Sequence, residues 1–473
     1  MINFLLNDTL ITLEHVRPNL TVLEYLREHA HLTGTKEGCA SGDCGACTAV
    51  IAEYNPSSKA LEYKSVNTCI TFVAALHGKQ LITVEHLAQG KQLHPVQQAM
   101  VDHHGSQCGF CTPGFVMSLF AQYQKQEKVN RHQIEHVLSG NLCRCTGYRP
   151  IVDAALASCN AYQPDQFAQK KASTISALQN ISAQAEVTGV YIPDSSAQLA
   201  QAKQAHPNAR LVAGGTDIAL ESTQLYNDFE SVIYLGRVKE LSRLTEDENG
   251  ITIGAGVTYQ KMLPTLLKHF PEVEELITRL GSMPVRNQGT MGGNVANASP
   301  IGDTPPLLIA LNADVIVDNG QAQRRIPANQ FFTGYRQTQM HDDEWIDAIY
   351  IPYRTENSTL RAYKVSKRFE DDISTVCAVY HLQIEEGKVR ALETGFGGVA
   401  ATPATLKKLD TALHGLEWAN KETYAKGKAI IESAFNPITD VRASADYRQT
   451  LLVNLWHRFW LETNDKSISV RVS

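Results

Sequence analysis

Eight of the ten cysteines in this 473-residue chain fall into two groups, and that placement constrains the fold more than any other feature. Cys39, Cys44 and Cys47 lie in "GCASGDCGACTAV" as C-x4-C-x2-C, and Cys69 in "VNTCI" completes a set of four. Cys108 and Cys111 form "CGFC"; Cys143 and Cys145 form "CRC". Three thiols on one short loop converge only if the backbone wraps closely. Gly38, Gly42 and Gly45 are expected to supply the positive φ angles and the room for N–H groups that such wrapping needs. Cys159 and Cys377 stand alone and read as buried small apolar residues.

Composition narrows what the cysteines do. The net charge is −6, with no basic run, which argues against a nucleic-acid or anionic-membrane partner. No apolar stretch approaches membrane-spanning length, and "MINFLLNDTLITLEHV" lacks a basic start, a sustained apolar core and a cleavage site. A cytoplasmic protein is expected, and there clustered cysteines more often bind metal or do redox chemistry than form disulfides.

The first group has the spacing by which plant-type ferredoxins hold a [2Fe–2S] cluster. Four cysteines also satisfy zinc, but zinc knuckles favour paired C-x2-C units. The second group, C-x2-C then C-x-C, is less diagnostic, and zinc is more credible for it alone. Its surroundings read as helices: "CTPGFVMSLFAQYQK" with Thr112 as N-cap and Pro113 in the first turn, "NRHQIEHVLSG" between Asn130 and Gly140, and "PIVDAALAS". Cysteines at a helix start sit in partial positive charge, which suits an anionic thiolate–iron cluster. His103 and His104 lie beside this set but are not expected to be ligands, since four cysteines complete it.

Residues 1–88 mix alternating strands with one helix at "TVLEYLREH" and predict a small ferredoxin-like domain; 89–160 reads as helical. The stretch 161–188, rich in Ala, Gln and Ser without a sustained apolar stripe, reads as a linker. An α/β region follows, with Gly-rich turns at "LVAGGTDIAL", "GAGVTY" and "GTMGGNVANASPIGDTPP". Such turns can present N–H groups to a pyrophosphate. None is a G-x-G-x-x-G opening a helix, and "GAGVTY" reads as an ordinary turn. Beside two one-electron centres, a flavin would be chemically useful, because it takes electrons singly and passes on a hydride.

The order of these motifs, followed by "FFTGYRQT" and "YKVSKRFEDDIS", resembles the molybdenum hydroxylase family over nearly the whole chain, and specifically its iron–sulfur/FAD small subunits. The resemblance implies an α+β multidomain fold: a ferredoxin-like β-grasp [2Fe–2S] domain, a helical-bundle [2Fe–2S] domain, an α/β FAD-binding domain at 189–354 and a C-terminal α+β flavoprotein subdomain at 355–465. It implies that Cys39, Cys44, Cys47 and Cys69 ligate one cluster and Cys108, Cys111, Cys143 and Cys145 the other. It places FAD contacts at Leu211, Val212, Ala213, Gly214, Gly215, Thr216, Asp217, Ile218, Thr290, Met291, Gly292, Gly293, Asn294, Asp303, Ile346 and Lys364. Leu280 falls where relatives carry an aromatic residue near the flavin ring, and Phe369 falls at a position that is basic in animal relatives. Tyr335 and Asp371 match positions implicated in nicotinamide binding.

The function implied is a relay: electrons from a molybdenum site pass through the helical-domain cluster and the ferredoxin-like cluster to FAD and then to NAD+, in the oxidation of hypoxanthine and xanthine to urate. A separate large subunit would carry molybdopterin, in an α2β2 heterotetramer, with no nucleic acid and no membrane involved. The alternatives are the same architecture serving an aldehyde, nicotinate or aromatic acyl-CoA hydroxylase, and a free-standing flavo-ferredoxin electron carrier.

Overall fold

The computed structural model describes residues 1–465, in two compact units: Met1–Lys239 with Gly281–Gly289, and Glu240–Leu280 with the chain from Thr290 onward. In the first unit, five strands form one sheet: β1 (Ile2–Leu6), β2 (Thr9–Leu13), β3 (Thr48–Asn55), β4 (Ala60–Asn67) and β5 (Gln80–Ile82), in the order β2-β1-β5-β3-β4. Only β1 and β5 run parallel; β3 and β4 form a long hairpin from Thr48↔Asn67 to Asn55↔Ala60. The helix expected at "TVLEYLREH" begins as an α-turn, Val22–Glu24, capped by Thr21 Oγ1, and continues as a π-turn, Tyr25–His29. It buries Val22, Leu23 and Leu26 against Phe4, Ile51 and Leu81, which covers the face that a lone sheet leaves wet.

Four helices follow: Pro95–Asp102, Thr112–Tyr123, Arg131–Leu138 and Arg149–Asn160. Phe115, Leu119 and Phe120 meet Ile134 and Ile151 in their core, which also takes in Cys159, buried as expected. Asn130 and Gln133 form a reciprocal capping box at the third helix, worth about 1 kcal/mol. Thr112 is not the N-cap of the second: Cys111 occupies that position, without a side-chain cap, and the Thr112 hydroxyl lies 2.7 Å from that of Ser106.

The stretch 161–188 also departs from expectation, since it contains the 14-residue helix Gln166–Gln179. Asp165 Oδ1 accepts the N–H groups of Phe167 and Ala168, while Oδ2 lies 2.9 Å from His94 Nε2. Phe167, Thr174 and Leu178 are buried and Ile175 packs beside Leu178, so a thin face interrupted by polar residues stands in place of a sustained apolar stripe. The rest of the first unit is a four-stranded sheet of β6 (Ala185–Val187), β7 (Val190–Ile192), β8 (Arg210–Val212) and β9 (Val232–Tyr234), in the order β6-β7-β9-β8. β7, β9 and β8 are parallel, with helix Ser196–Ala205 between β7 and β8.

The second unit holds β10 (Leu244–Glu246), β11 (Gly250–Gly254), β12 (Asp314–Asp318) and β13 (Gln323–Pro327), then a short pair β14 (Phe332–Gly334) and β15 (Gln337–Thr338), then β16 (Trp345–Pro352). β10-β11-β16-β12-β13 form an antiparallel sheet. β17 (Ser358–Val365), β18 (Val376–Glu385) and β19 (Lys388–Gly397) form a meander. Helices Lys407–Leu413, Lys421–Glu432 and Ala445–Asn464 supply the residues that pack with this meander: Tyr380 stacks on Phe459 with ring centres 4.6 Å apart, and Trp456 lies where a side chain on Gly427 would stand. Among the described residues no helix is long and apolar enough to cross a membrane.

Candidate iron–sulfur and flavin sites

The first cysteine set converges. Cys47 directly precedes β3, and Cys69 lies in the single helical turn Thr68–Ile70 that follows β4, so the hairpin brings their sulfurs to 3.3 Å. The loop 38–46 brings Cys39 and Cys44: Cys39 Sγ accepts the N–H of Ser41 and of Cys44, each at 3.4 Å. Hydrogen bonds from Cys44 and Cys69 hold the Cys39 thiol far below its usual range. Cys69 lowers Cys47 in the same way against the opposing effect of burial, while Cys44 and Cys69 themselves are pushed up by Cys39. Four crowded thiols, two of them lowered by their neighbours, are a donor set for a soft, thiophilic centre.

The glycines work differently from one another. Gly42 and Gly45 have the expected positive φ, 85° and 68°, but Gly38 does not; the third left-handed residue of the loop is Ala40, at 53°. Gly38 is needed for space, since a Cβ there would stand 2.7 Å from Cys44 Sγ. This cradle, which any side chain would fill, fits an inorganic core held against the backbone.

The second set is more open. Cys111 caps the Thr112–Tyr123 helix, Cys143 is buried, and Cys108 and Cys145 are exposed. Cys111 hydrogen-bonds with Cys143, and Cys108 with Cys145. Burial, with help from Cys143, pushes the Cys111 thiol up to about 12. Burial acts the same way on Cys143, but hydrogen bonds from the Thr146 hydroxyl and backbone outweigh it and lower that thiol. Thr146 Oγ1 lies 3.2 Å from Cys143 Sγ, and the Cys143 N–H donates to the Tyr148 hydroxyl at 2.9 Å. The rim includes exposed Phe110, Leu142 and Tyr148, and Gly109 and Gly147 have open space around them.

Asn141 joins the two sets, and no sequence signal marked it. Its Nδ2 donates to Gly45 O at 3.1 Å and to Thr48 Oγ1 at 3.2 Å, its Oδ1 accepts from Ser118 at 2.6 Å, and the Leu142 N–H donates to Cys44 O at 3.0 Å. A Cβ on Gly45 would stand 2.1 Å from Gly140 O, and one on Gly114 would stand 2.1 Å from Gly45 O. Backbone contact between the sets therefore depends on small residues on both sides.

The candidate flavin residues divide between the units. In the first, Leu211 and Val212 end β8, and Ala213–Ile218 turn into the short helix Ala219–Thr223. Gly215 has φ 76°, and a Cβ there would lie 3.3 Å from Ile70 O, one residue beyond Cys69. A Cβ on Gly214 would stand 2.0 Å from the Gln288 carbonyl. The turn thus packs its glycine backbone against Gln288 and Ile70, an approach that Gly214 permits by having no side chain.

In the second unit, Thr290 caps the Met291–Ala296 turn through Gly293 N, at 2.9 Å, and Gly292 lies on Ala255 of "GAGVTY", which here is a packing partner. Asn294 Oδ1 accepts the Thr304 hydroxyl. Asp303 pairs with Lys364 at 2.6 Å and accepts the Ser374 hydroxyl. Ile346 is buried on β16, and Leu280, partly buried, follows the Glu274–Thr278 helix. Tyr335 is exposed between β14 and β15; Asp371 sits in the loop after β17 with φ 49°. The Arg279 guanidinium, buried and hydrogen-bonded to Phe369 O, lies 4.2 Å from the centre of the exposed Phe369 ring.

Comparison with known proteins bears on these sites. "2Fe-2S iron-sulfur cluster binding domain" matches residues 4–74 and "[2Fe-2S] binding domain" residues 83–156. "FAD binding domain in molybdopterin dehydrogenase" matches 183–354 and "CO dehydrogenase flavoprotein C-terminal domain" 361–463. The chain is 32% identical to xanthine dehydrogenase of Emericella nidulans over 97% of its own length and 38% of that protein's, and 29% identical to xanthine dehydrogenase 1 of Arabidopsis thaliana over 94% and 38%. It therefore spans under two-fifths of the length of these relatives. Among solved structures, a copper–molybdenum CO dehydrogenase in its cyanide-inactivated form matches with TM-score 0.54 and 25% identity, over 57% of this chain and 94% of that one. Quinoline 2-oxidoreductase from Pseudomonas putida 86 matches in fold with TM-score 0.53 and 23% identity, over 59% and 96%.

Fold, thiol sets and domain matches define an iron–sulfur flavoprotein whose cofactors are two [2Fe–2S] clusters and FAD. The chain belongs to the molybdenum hydroxylase family, as its iron–sulfur/FAD portion.

Proposed function

We propose that this chain is the electron-transfer subunit of a cytoplasmic xanthine dehydrogenase. A large partner subunit carries molybdopterin and oxidises the purine, and NAD+ is the final acceptor, in an α2β2 assembly. Bound iron–sulfur clusters and FAD supply the one-electron and hydride chemistry that amino acids cannot. The observation that carries the reading is a continuous run of packed residues in the first unit: the second thiol set, with Cys108 and Cys145 exposed, and its apolar rim, Asn141 against Cys44 and Gly45, and Ile70 against Gly215. In this reading Cys108, Cys111, Cys143 and Cys145 face the partner, and Phe110, Leu142 and Tyr148 form the surface it covers, excluding water there. Cys39, Cys44, Cys47 and Cys69 hold the inner cluster.

In this reading Leu211–Ile218 of the first unit would contact FAD, as would Thr290–Asn294, Asp303, Ile346, Lys364 and Leu280 of the second. Tyr335 and Asp371 orient the nicotinamide. Sequence likeness to xanthine dehydrogenases over nearly the whole chain supports purine oxidation.

A paired rate assay tests it. The chain loaded with clusters and FAD should pass electrons from NADH to an artificial dye and leave xanthine untouched, and adding the large subunit should give xanthine-dependent NAD+ reduction. Xanthine oxidation by this chain alone would overturn the relay. Flavin-replete protein inert towards NADH would overturn NAD+ as acceptor; the exposed Phe369 on Arg279 favours testing quinones and dyes next.

A further inference from the structure

We propose that the side-chain amide of Gln288 hydrogen-bonds the bound flavin dinucleotide, a contact made by none of the flavin residues named above; it rests on the reading that Leu211–Ile218 receives FAD. Thr71 lies two residues beyond Cys69, and its Oγ1 is 2.8 Å from Gln288 Oε1 and 2.8 Å from Asn67 O. The hydroxyl shares its one proton between these two acceptors and so ties the Gln288 side chain to the turn that carries Cys69. The main chain of Gln288 does the other half of the work: its carbonyl is the surface on which Gly214 rests, 2.0 Å from where a Cβ would stand. Ile70, between Cys69 and Thr71, places its own carbonyl 3.3 Å from the Cβ position of Gly215. Gln288 is therefore held between the Cys69 turn and the Gly214–Gly215 turn, all within the first unit.

One end of this amide is unused. Gln288 Nε2 is shut off from solvent and has no hydrogen-bond partner among the described residues. A buried donor without an acceptor is destabilising, and native proteins leave few of them. Beside the Gly214–Gly215 turn, a ligand acceptor resolves the deficit, and FAD offers pyrophosphate, ribityl and ring oxygens. Sequence reading missed the residue because a single glutamine before "GTMGGN" carries no motif.

The test uses the full chain carrying both clusters. Gln288→Met keeps the side chain's length and approximate volume while removing the amide, and leaves the Thr71–Asn67 bond in place. The FAD dissociation constant, read by flavin fluorescence quenching, should rise about tenfold, the loss of one hydrogen bond. The low-temperature EPR signals of both clusters and the melting temperature should stay unchanged. Thr71→Val, which releases the tether but keeps the amide, should cost less affinity.

Unchanged FAD affinity in Gln288→Met would overturn the proposal. An altered EPR signal with unaltered FAD affinity would do the same, placing the donor on the cluster. An equal loss in Thr71→Val would also overturn it, by reducing Gln288 to a spacer. Failure of the wild-type chain, with clusters loaded, to bind FAD at all would instead strike the flavin reading on which the proposal stands.

Discussion

The Lys364 ammonium lies 2.6 Å from the Asp303 carboxylate with both side chains nearly sealed from solvent, and Ser374 donates a second hydrogen bond to the carboxylate. A buried pair of this kind is a weak source of net stability, but losing one partner strands a charge. Lys364→Met should therefore destabilise the second unit by about 3–5 kcal/mol and empty it of flavin. The double variant Asp303→Asn with Lys364→Met removes the stranded charge. Melting curves should show much of the stability restored, while flavin absorbance stays low. Recovery of both together would mean that the pair serves the fold alone.

Backbone contact between the two thiol sets predicts an asymmetry among glycines. Gly45→Ala forces a side chain into φ 68° and into the Gly140 carbonyl, 2.1 Å away, whereas Gly147→Ala meets a similar φ of 69° with nothing within 4 Å. The second change should cost about 1–2 kcal/mol, the ordinary penalty for the left-handed region. The first should cost more and abolish the EPR signal of the first cluster. Equal behaviour of the two variants, by melting and by EPR, would contradict the close packing of Gly45 on Gly140.

His77 gives the first unit a pH dependence. Its Nδ1 accepts the Asn3 N–H at 3.1 Å and its Nε2 lies 2.9 Å from Ser182 O, an arrangement that needs the neutral ring. Burial pushes its pKa down from 6.5 to about 4. Between these values the unfolded chain binds the proton and the folded chain does not, so stability is complete above pH 6.5 and is lost as pH falls towards 4. The loss by pH 5 should be about 2 kcal/mol. His77→Gln should flatten this part of the curve, as denaturant titrations at several pH values would show.

What could be read from the sequence follows from how rigidly each chemistry fixes its residues. Cluster ligands need set spacings on tight loops, so Cys39 to Cys69 and Cys108 to Cys145 announce themselves. The Asn130 cap and the buried state of Cys159 and Cys377 are equally local consequences. The Gln166–Gln179 helix escapes notice because it is held by a cap on Asp165 and by a thin face of Phe167, Thr174, Ile175 and Leu178, in which too few positions are apolar to make a sustained stripe. Gly38 looks like a conformational glycine, yet its role is clearance from Cys44 Sγ, and Ala40 takes the left-handed turn. Asn141 and Gln288 act through partners about a hundred or more positions away, and no window of sequence contains that information.

The division of ligands gives the last prediction. Cys143 is the buried member of its set, held by the Thr146 hydroxyl through sulfur and by the Tyr148 hydroxyl through its N–H. Serine at this position keeps the small buried side chain but replaces a soft thiolate with a hard, poorly ionised oxygen, which suits iron–sulfide far less well. Cys143→Ser should therefore lose the helical-domain cluster. The set of Cys39, Cys44, Cys47 and Cys69 is built by a different loop and hairpin, so its cluster should survive, along with the flavin. Iron and sulfide should halve, and one of two low-temperature EPR signals should vanish while NADH–dye activity persists. Loss of neither signal would remove Cys143 from the ligand set. Loss of both would mean that the Asn141 contact makes the two sets fold as one, since Leu142, the residue before Cys143, is hydrogen-bonded directly to the Cys44 carbonyl.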